Sequence, residues 1–495
     1  MTGFLTIDGP QRLTCDVLVI GTGAGGATAA STLAESGADV LMIEEGAYVP
    51  AAEAPIGLGQ STLKMWRGAG LLSTLGPDQI MFAEGRCVGG GTEINSAIFQ
   101  RAPEEIIHHW VAANHLHDIS VDSLAPYYER AAAAVNASVI PNEVGPPTTI
   151  LARAGEAMGW KVSVLTRGQH HCVGANMCAA GCPTGGKQSM SSTLIPRALA
   201  SGARLLARCR ARYLMIRGHR ANGAVCDATD GEGRQHRVTI EASAVFVCAG
   251  TMQTPLLLRR SGLGRRGGER FQLHPTVRVV AHFRDPVHAH RNRLPLTAIT
   301  QFSPDMRFGG SNFSVATYAL SLAEDWAHRA QWLPDYTHHA MYYAMIKPDG
   351  VGRIHPVPKA IEPIVTYRLT ERDRRSLGEA VRQLALALFA AGADRVLPSI
   401  RGHEGWSSPE LLRNRGAVLV PQDRALLMSI HLFGSCPMGE RADCFPVDSF
   451  GRLVGMENIV LADASVLPGA PGVNPQATIM ALSFRAADAF AARAA

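Results

Sequence analysis

Residues 15–45, CDVLVIGTGAGGATAASTLAESGADVLMIEE, form a predicted βαβ unit that decides the fold. Two short runs of apolar and β-branched residues, 15–20 (CDVLVI) and 38–43 (ADVLMI), are typical of buried parallel strands. The Ala-rich residues 27–36 between them favour a helix, which Gly37 ends. A strand, a helix and a second strand in this order predict an α/β fold with a Rossmann-like parallel sheet.

The turn between the first strand and the helix is GTGAGG, residues 21–26, which fits the pattern G-x-G-x-x-G. Gly21 permits the tight turn, Gly23 lets backbone approach a pyrophosphate, and Gly26 lets the helix pack on the strand. Free N–H groups at the helix N-terminus favour the anion. Glu44 ends the second strand, where a carboxylate can accept hydrogen bonds from an adenosine ribose. These features predict a bound dinucleotide and do not separate FAD from NAD.

Later strand-like runs indicate that the cofactor domain is discontinuous in sequence. Residues 244–248 (AVFVC) and 459–462 (IVLA) are short and apolar and are followed by Gly or Asp, as expected for further strands of the same sheet. Residues 275–422 differ, with short strands, aromatic clusters and a helix predicted over 373–391; they predict a substrate-binding domain on a mainly antiparallel sheet with helices. The predicted division is a cofactor domain at 1–100, 186–274 and 423–495, a lid and connecting region at 101–185, and the substrate domain at 275–422.

Composition excludes several classes of protein. The chain has 495 residues, enough for two or three domains, and its 46% hydrophobic content supports a large core. The net charge is +5 with scattered basic residues, so no nucleic-acid partner is expected. No apolar run is long enough for a transmembrane segment, and residues 1–16 lack the pattern of a secretory signal. Ten cysteines in this length do not suggest a disulfide scaffold, so a cytoplasmic location is expected.

Three further stretches carry a resemblance to one family. Residues 250–264 (GTMQTPLLLRRSGLG) resemble the second signature of the glucose-methanol-choline (GMC) oxidoreductases, and residues 85–96 (GRCVGGGTEINS) resemble the first. Residues 460–481 (VLADASVLPGAPGVNPQATIMA) resemble the closing segment of that family, with a GVNP core similar to the cholesterol oxidase branch. The order and spacing of the three agree with the family. The resemblance implies that the dinucleotide is FAD.

The resemblance also implies which residues contact FAD. The expected cofactor-binding residues are Gly21, Gly23, Ala24, Gly25, Gly26, Glu44, Glu45, Arg86, Gly89, Gly90, Thr92, Asn95, Ser96, Ala211, Ala249, Gly250, Asp463, Ala464, Asn474, Pro475, Gln476 and Thr478. Some members of the family attach FAD covalently through a His directly before the first-signature Asn. That position is Ile94 here, so the FAD is expected to be non-covalent.

The catalytic residues expected from the resemblance are His431 and Asn474. HLFGSCPMG, residues 431–439, resembles the family's H-x-x-G-T-C-x-M-G, with Ser435 in place of Thr, and the family's catalytic His stands first. Alcohol oxidation needs a base for the hydroxyl proton while hydride leaves the carbinol carbon, and the ordinary pKa of His suits this role. The second catalytic position falls on Asn474, whose amide can donate a hydrogen bond to the substrate oxygen.

Other chemistry-bearing residues are predicted to be structural. His274, in FQLHP, matches a family turn, the adjacent pairs His108-His109 and His170-His171 make poor metal sites, and His338-His339 is a weaker candidate for lining a pocket. Three cysteines, Cys172, Cys178 and Cys182, lack a fourth ligand at metal or iron–sulfur spacing. Residues 181–189 resemble a structural loop of the sterol and long-chain-alcohol oxidising branches. Packing is therefore the leading interpretation of the three cysteines, a redox role stays open, and no metal is expected.

The expected function is FAD-dependent oxidation of a small-molecule alcohol to a ketone or aldehyde. Oxygen, a quinone or a carrier protein are open as electron acceptors, because no motif distinguishes an oxidase from a dehydrogenase. A lyase or another non-oxidative member of the family is the alternative, and a non-catalytic flavin-bound scaffold is disfavoured because both catalytic positions are retained. Sterols, sugars, aromatic alcohols and long-chain alcohols all stay open as substrates, with a slight preference for a bulky or cyclic secondary alcohol.

Overall fold

The computed structural model describes residues 3–140, 145–264, 266–292, 296–358, 360–413, 420–421 and 424–494. Strands and helices are numbered in chain order. The described α-helices are α1 Ala24–Glu35, α2 Leu58–Met65, α3 Gly91–Ile94, α4 Glu104–Asn114, α5 Val121–Ala134, α6 Pro146–Ala157, α7 Leu194–Ala200, α8 Gly250–Arg260, α9 Val315–Leu322, α10 Trp326–Arg329, α11 Glu371–Ala390, α12 Pro409–Arg413 and α13 Gln476–Ala494. None of these described helices has the length and apolarity needed to cross a membrane.

The first sheet contains the strands predicted from the sequence. Its described strands are β1 Gln11–Ile20, β2 Val40–Ile43, β8 Arg204–Leu206, β9 Cys209–Arg217, β10 Arg220–Thr229, β11 Gln235–Val247 and β22 Ile459–Leu461. β8, β2, β1, β11 and β22 are joined by parallel pairings, and β10 and β9 extend the sheet in antiparallel fashion from β11. The predicted α/β class and the discontinuous Rossmann-like sheet are confirmed.

The second sheet is mainly antiparallel, as predicted. Its described strands are β3 Leu72–Ser73, β4 Ile80–Phe82, β6 Val162–Val164, β13 Thr276–His282, β14 Thr297–Ile299, β15 Met306–Gly310, β16 His339–Ile346, β19 Arg395–Pro398 and β20 Leu427–Ser429. β20 pairs with β4 in parallel, and the other pairings are antiparallel. Three small two-stranded pairs complete the strands: β5 Ala137–Ser138 with β7 Arg167–Gly168, β12 Gln272–Leu273 with β21 Leu432–Phe433, and β17 Gly352–His355 with β18 Ile364–Tyr367.

Each large sheet has its own hydrophobic core. α4 and α5 pack on the core of the first sheet, and α6 packs on the core of the second. The segment 101–185 therefore divides between the two cores, and residues 72–82 of the first predicted segment join the second sheet. The predicted boundary between Gln422 and Asp423 lies outside the described residues, and the five-part domain division stays a prediction.

Two predicted elements extend beyond their predicted bounds. β1 begins at Gln11 because its first half pairs with β11 from Val238 onward. α11 begins at Glu371 because the hydroxyl of Thr370 accepts a hydrogen bond from the N–H of Asp373, and Asp373 in turn accepts one from the N–H of Thr370. This reciprocal cap satisfies N–H groups that the helix itself cannot.

Three glycines of the turn, Gly21, Gly25 and Gly26, are required by backbone packing. A Cβ on Gly25 would overlap the carbonyl oxygen of Ala462 at the end of β22, and one on Gly21 would overlap that of Cys248 after β11. A Cβ on Gly26 would overlap the carbonyl oxygen of Gly21 itself. α1 thus sits directly against the carboxyl ends of three parallel strands.

We expect Gly25→Ala to destabilise the protein, because the methyl group meets rigid backbone rather than a side chain that can move. Overpacking of this kind costs at least about 1–3 kcal/mol, which should appear as a lower midpoint in thermal unfolding followed by circular dichroism. Gly59→Ala in α2 is the control, since a Cβ there meets nothing within 4 Å. Equal midpoints for the two variants would contradict the packing argument.

Candidate active site

A cavity of about 800 Å³ lies at the carboxyl ends of the parallel strands of the first sheet. One part of its lining comes from the loops that follow β1, β2, β11 and β22. The other part comes from the second sheet, through Thr276, Arg278, Tyr343, Met345 and Met428. Ligands of open α/β sheets bind at this position, where the loops after the strands can enclose them.

The N-terminus of α1 is prepared for an anion. Its N-cap is Gly23, no side chain caps it, and its first turn holds no acidic residue. The first N–H groups of the helix are therefore available to a pyrophosphate. Gly90 lies against this turn so closely that a Cβ on it would come within 2.8 Å of the Cα of Gly23. The two loops therefore touch through backbone alone, and no side chain of Gly23 or Gly90 covers the start of the helix.

Glu44, the residue predicted to hold the ribose, lies in the cavity wall directly after β2. Its carboxylate lines the cavity and accepts hydrogen bonds from the N–H of Thr22 (3.1 Å), the hydroxyl of Thr22 (2.9 Å) and the N–H of Gly46 (3.0 Å). Burial raises the pKa of Glu44, and these three donors oppose that rise. The donors also orient the carboxylate rigidly. This donor set and the glycine turn together fit a dinucleotide.

Asp463 joins two of the cavity-lining loops. Its carboxylate accepts hydrogen bonds from the N–H of Gly250 (2.8 Å), the hydroxyl of Thr254 (2.6 Å) and the N–H of Ser465 (2.8 Å). These contacts fix the start of α8 against the end of β22. The carboxylate lines the cavity while its oxygens are bound to protein, so it positions backbone groups of Gly250 and Ala464 toward a ligand.

The loop of the first signature is held by a buried lysine. The ammonium of Lys187 donates to the carbonyl oxygens of Glu93 (2.5 Å), Cys178 (2.7 Å) and Asn95 (3.3 Å). The amide of Asn95 in turn donates to Oε1 of Gln476 (2.7 Å), which ties the loop to the start of α13. These contacts connect the predicted cofactor-binding residues at both ends of the chain.

The three clustered cysteines belong to the same support. All ten cysteines are free thiols, including Cys172, Cys178 and Cys182. The N–H of Lys187 donates to the sulfur of Cys182 at 3.3 Å. Burial raises the pKa of Cys178, so its thiol is protonated and a poor nucleophile. The contacts agree with the packing interpretation of this loop.

Most of the residues expected to contact the cofactor line the cavity, and four do not. Gly26, Arg86, Gly89 and Thr478 are absent from the lining. Gly26 packs on Gly21, and the N–H of Gly89 donates to the hydroxyl of Thr22 (3.0 Å). Arg86 forms an ion pair with Glu45 (3.2 Å), and the hydroxyl of Thr478 bonds that of Tyr128 (2.9 Å). These four lie outside the lining of the cavity, and their direct contact with the cofactor stays a prediction.

His431 and Asn474 lie together in the cavity wall. His431 stands between β20 and β21, and Asn474 lies just before α13, forty-three positions further along the chain. Nε2 of His431 and Nδ2 of Asn474 are 3.0 Å apart, and both residues line the cavity. The hydroxyl of Ser429 holds the backbone of His431 through its carbonyl oxygen (3.0 Å) and its N–H (3.2 Å). Two side chains distant in sequence thus present polar atoms to one point.

His274 is a site residue that the sequence did not identify. It is fully buried, and its Nδ1 lies 3.0 Å from Nδ1 of His431. The pairing of Leu273 in β12 with Leu432 in β21 brings the two histidines side by side. The sequence holds no signal for this contact, because both strands are two residues long and pair across more than 150 positions.

The hydrogen bonds favour one proton arrangement in the two rings. The N–H of Gly472 donates to Nε2 of His274 at 3.1 Å, so the proton of a neutral His274 lies on Nδ1. That Nδ1–H donates to Nδ1 of His431, whose own proton then lies on Nε2 and faces Asn474. As placed, the amide of Asn474 faces Nε2 of His431 with Nδ2, so this arrangement requires the amide to be turned to present Oδ1.

Both histidines are neutral at ordinary pH. Burial, followed by the positive charge of Arg307, lowers the pKa of His431 to about 4. Burial, followed by the neighbouring His431, lowers the pKa of His274 well below its usual range. Arg307 is itself buried in β15. Its positive charge opposes an imidazolium and favours negative charge near the pair.

Metal-ligating groups approach one another outside the cavity. Among the described residues, ligand atoms of His282, Asp335 and His338 lie within 4.8 Å of one another. However, Nδ1 of His282 lies 2.5 Å from Asp394 and Nε2 lies 3.1 Å from Asp335. Carboxylates therefore occupy both ring nitrogens of His282. The group is explained as an ion-pair cluster, and neither His338 nor His339 lines the cavity.

Comparison with known proteins gives consistent matches along the chain. Two models described as GMC oxidoreductase match residues 62–276 and 348–483, and one described as FAD binding domain matches residues 16–54. An uncharacterised GMC-type oxidoreductase of Sinorhizobium fredii is 48% identical over 489 residues, covering 99% of this chain and 97% of that protein. A long-chain-alcohol oxidase of Arabidopsis thaliana is 26% identical over 521 residues, covering 96% of this chain and 66% of that protein.

Solved structures share the fold. The crystal structure of pyridoxine 4-oxidase from Mesorbium loti has a TM-score of 0.70 and 18% identity, and the match covers 96% of this chain and 99% of that one. A variant of formate oxidase from Aspergillus oryzae has a TM-score of 0.71 and 15% identity, covering 98% of this chain and 99% of that one. At these identities the likeness concerns the fold.

We expect the ring of His431 to stay neutral as the pH falls through 6.5, the ordinary value for His, and to gain its proton only at about pH 4. ¹⁵N NMR of histidine-labelled protein measures this, with the His431 signal assigned by its loss in His431→Gln. His328 serves as an internal control, since its hydrogen bond to Asp325 raises its pKa above the ordinary value. If His431 instead titrates near pH 6.5, its placement in a buried site near the charge of Arg307 is wrong.

Proposed function

This chain belongs to the GMC oxidoreductase family, and we propose that it oxidises an alcohol to a ketone or aldehyde at His431 and Asn474. It is an FAD-dependent oxidoreductase. The observation that carries the proposal is the 3.0 Å contact between Nε2 of His431 and Nδ2 of Asn474 in the wall of the cavity. A base and an amide at one point provide what removal of a hydroxyl proton needs.

The residues around the cavity would hold FAD without a covalent bond. The N-terminus of α1 would bind its pyrophosphate, Glu44 its ribose, and the loops held by Asp463 and Lys187 the remainder. Ile94, directly before Asn95, has no nucleophile that could attach the cofactor. When bound, FAD supplies the acceptor for the hydride that leaves the carbinol carbon.

His431 takes the hydroxyl proton at Nε2. For this the ring must carry its own proton on Nδ1 and donate it to Nδ1 of His274, the reverse of the resting arrangement. His274 then holds its proton on Nε2 and gives up the hydrogen bond from Gly472, a loss of about 1–3 kcal/mol. The pair of rings thus has two proton arrangements, and His274 acts as a positioning residue that selects between them.

Asn474 and Arg307 favour the charge that develops on the substrate oxygen. The amide nitrogen of Asn474 already faces Nε2 of His431, so one of its N–H groups would donate to a substrate oxygen at that point. The buried guanidinium of Arg307 adds a positive potential that disfavours the imidazolium and favours the oxyanion. Fixed groups of this kind stabilise a charge without needing to reorient during the reaction.

A lyase of the same family is the second candidate. It would retain FAD and convert its substrate without net transfer of electrons to the flavin. Anaerobic addition of an alcohol separates the two, because oxidation bleaches the visible flavin band and a lyase reaction leaves it unchanged. Oxygen, a quinone or a carrier protein is then added to the bleached protein. The compound that restores the visible flavin band is the electron acceptor.

We expect His431→Ala to lower the rate of anaerobic flavin bleaching by roughly 10²- to 10⁴-fold, the usual contribution of a general base. FAD content should stay unchanged, because the helix N-terminus and Glu44 are untouched. The control is His108→Ala, which removes an imidazole that is 64% exposed at the surface. Bleaching by His431→Ala at the rate of the unmodified protein would eliminate His431 as the base.

We expect His274→Phe to lower kcat by about 10- to 100-fold with little change in KM, since it removes the proton acceptor behind His431 and keeps the ring volume. His339→Phe is the matched control, because His339 is also buried and hydrogen-bonded but lies outside the cavity. Stopped-flow bleaching and thermal unfolding should be measured for both. If both variants lose stability equally and keep kcat, His274 is only structural.

A further inference from the structure

The substrate side of the cavity contains an arginine without an anionic partner. Arg278 lies on β13, is partly buried, and lines the cavity between Thr276 and Tyr343 of the neighbouring strand. Its Nη1 donates to the hydroxyl of Ser321 at 3.3 Å, and its Nε is buried without a hydrogen-bond partner. Among the described residues, no carboxylate forms an ion pair with it.

The carboxylates that line the cavity are all engaged elsewhere. Glu44 accepts from Thr22 and Gly46, and Asp463 accepts from Gly250, Thr254 and Ser465. Glu45 and Glu84 form ion pairs with Arg67, at 2.9 Å and 3.2 Å. Arg67 is thus neutralised by acids on the cofactor side. The guanidinium of Arg278 keeps an uncompensated charge.

An uncompensated guanidinium in a desolvated wall is unfavourable unless an anion binds to it. Burial alone lowers the pKa of Arg278 to about 10, which leaves the group charged at neutral pH. Its planar fork matches a carboxylate, to which it can donate two parallel hydrogen bonds. The two phosphates of FAD are expected at the N-terminus of α1 on the first sheet, so they do not supply this anion.

We propose that Arg278 binds the carboxylate of the substrate, so that the enzyme prefers a hydroxy acid over the corresponding neutral alcohol. This rests on the proposed alcohol oxidation at His431. His274, which contacts His431, and Arg278 are four residues apart, so at the usual rise of a strand their Cα atoms are separated by at most about 13 Å. The hydroxyl and the carboxylate of the substrate are therefore separated by a spacer on the order of 10 Å.

The apolar part of the lining suits such a spacer. Met345 and Met428 line the cavity beside Thr276, on strands that pair directly with β13. Flexible thioether side chains adapt to an alkyl chain. The proposal therefore names a class, the medium-chain ω-hydroxy acids.

The test compares ω-hydroxydecanoate with the neutral decanol of the same chain length, by kcat/KM from stopped-flow flavin bleaching of the FAD-loaded protein. Charge-assisted hydrogen bonds predict a preference for the hydroxy acid of roughly 10- to 100-fold. Arg278→Met should remove this preference while keeping turnover of decanol, and Arg278→Lys should keep part of it. ω-Hydroxybutyrate is too short to reach both His431 and Arg278. It should show no advantage over the neutral alcohol of its own chain length.

The matched control is Arg284→Met, which removes the same charge from a side chain that is 89% exposed; it should keep the full preference. FAD content and thermal unfolding are measured for each variant. If Arg278→Met does not fold, competitive inhibition of decanol oxidation by decanoate in the unmodified protein and in Arg278→Lys decides instead. The proposal is overturned if the unmodified protein has equal kcat/KM for ω-hydroxydecanoate and decanol. It is also overturned if Arg278→Met keeps the same preference as the unmodified protein. Failure of every alcohol to bleach the flavin would count against the proposed oxidation itself.

Discussion

The close contact between Gly25 and the backbone of Ala462 is the constraint on which the arrangement of the cofactor site depends. It joins α1, near the start of the chain, to β22, near its end, with no side chain between them. The contact between Gly25 and Ala462 also positions Asp463, the next residue. Asp463 there accepts hydrogen bonds from the start of α8. Three segments that are far apart in sequence therefore end at one edge of the first sheet and enclose one cavity.

A second pair of contacts brings the proposed catalytic residues together in the wall of this cavity. The short pairing of β12 with β21 sets His274 beside Nδ1 of His431, and the residues before α13 bring Asn474 to Nε2 of the same ring. Gly472 belongs to this last segment and donates to His274, so one loop contacts both ends of the two-histidine array. Because the array is removed from water and lies near Arg307, its rings stay neutral and able to exchange a proton.

The charges in the cavity wall are divided between its two sides. Acidic groups cluster on the side of the first sheet, where they are neutralised by backbone N–H groups and by Arg67. On the side of the second sheet the guanidinium of Arg278 has no acid opposite it. A cofactor with its own phosphates and a substrate with a carboxylate would complement the helix N-terminus and this arginine, respectively.

The sequence by itself determined the α/β class, the discontinuous first sheet, the dinucleotide turn and the pattern of a flavoenzyme family, because these follow from local periodicity and from motifs with fixed spacing. A local signal for the cavity face of β13 was also present, since Thr276 and Arg278 alternate with buried Val277 and Val279. The sequence also predicted that Gly26, Arg86, Gly89 and Thr478 contact the cofactor, and these four lie outside the lining of the cavity. Tertiary structure alone decided the contact of His274 with His431 and the lack of an acid beside Arg278. Both depend on pairings between strands more than sixty positions apart, and neither periodicity nor local spacing encodes such pairings.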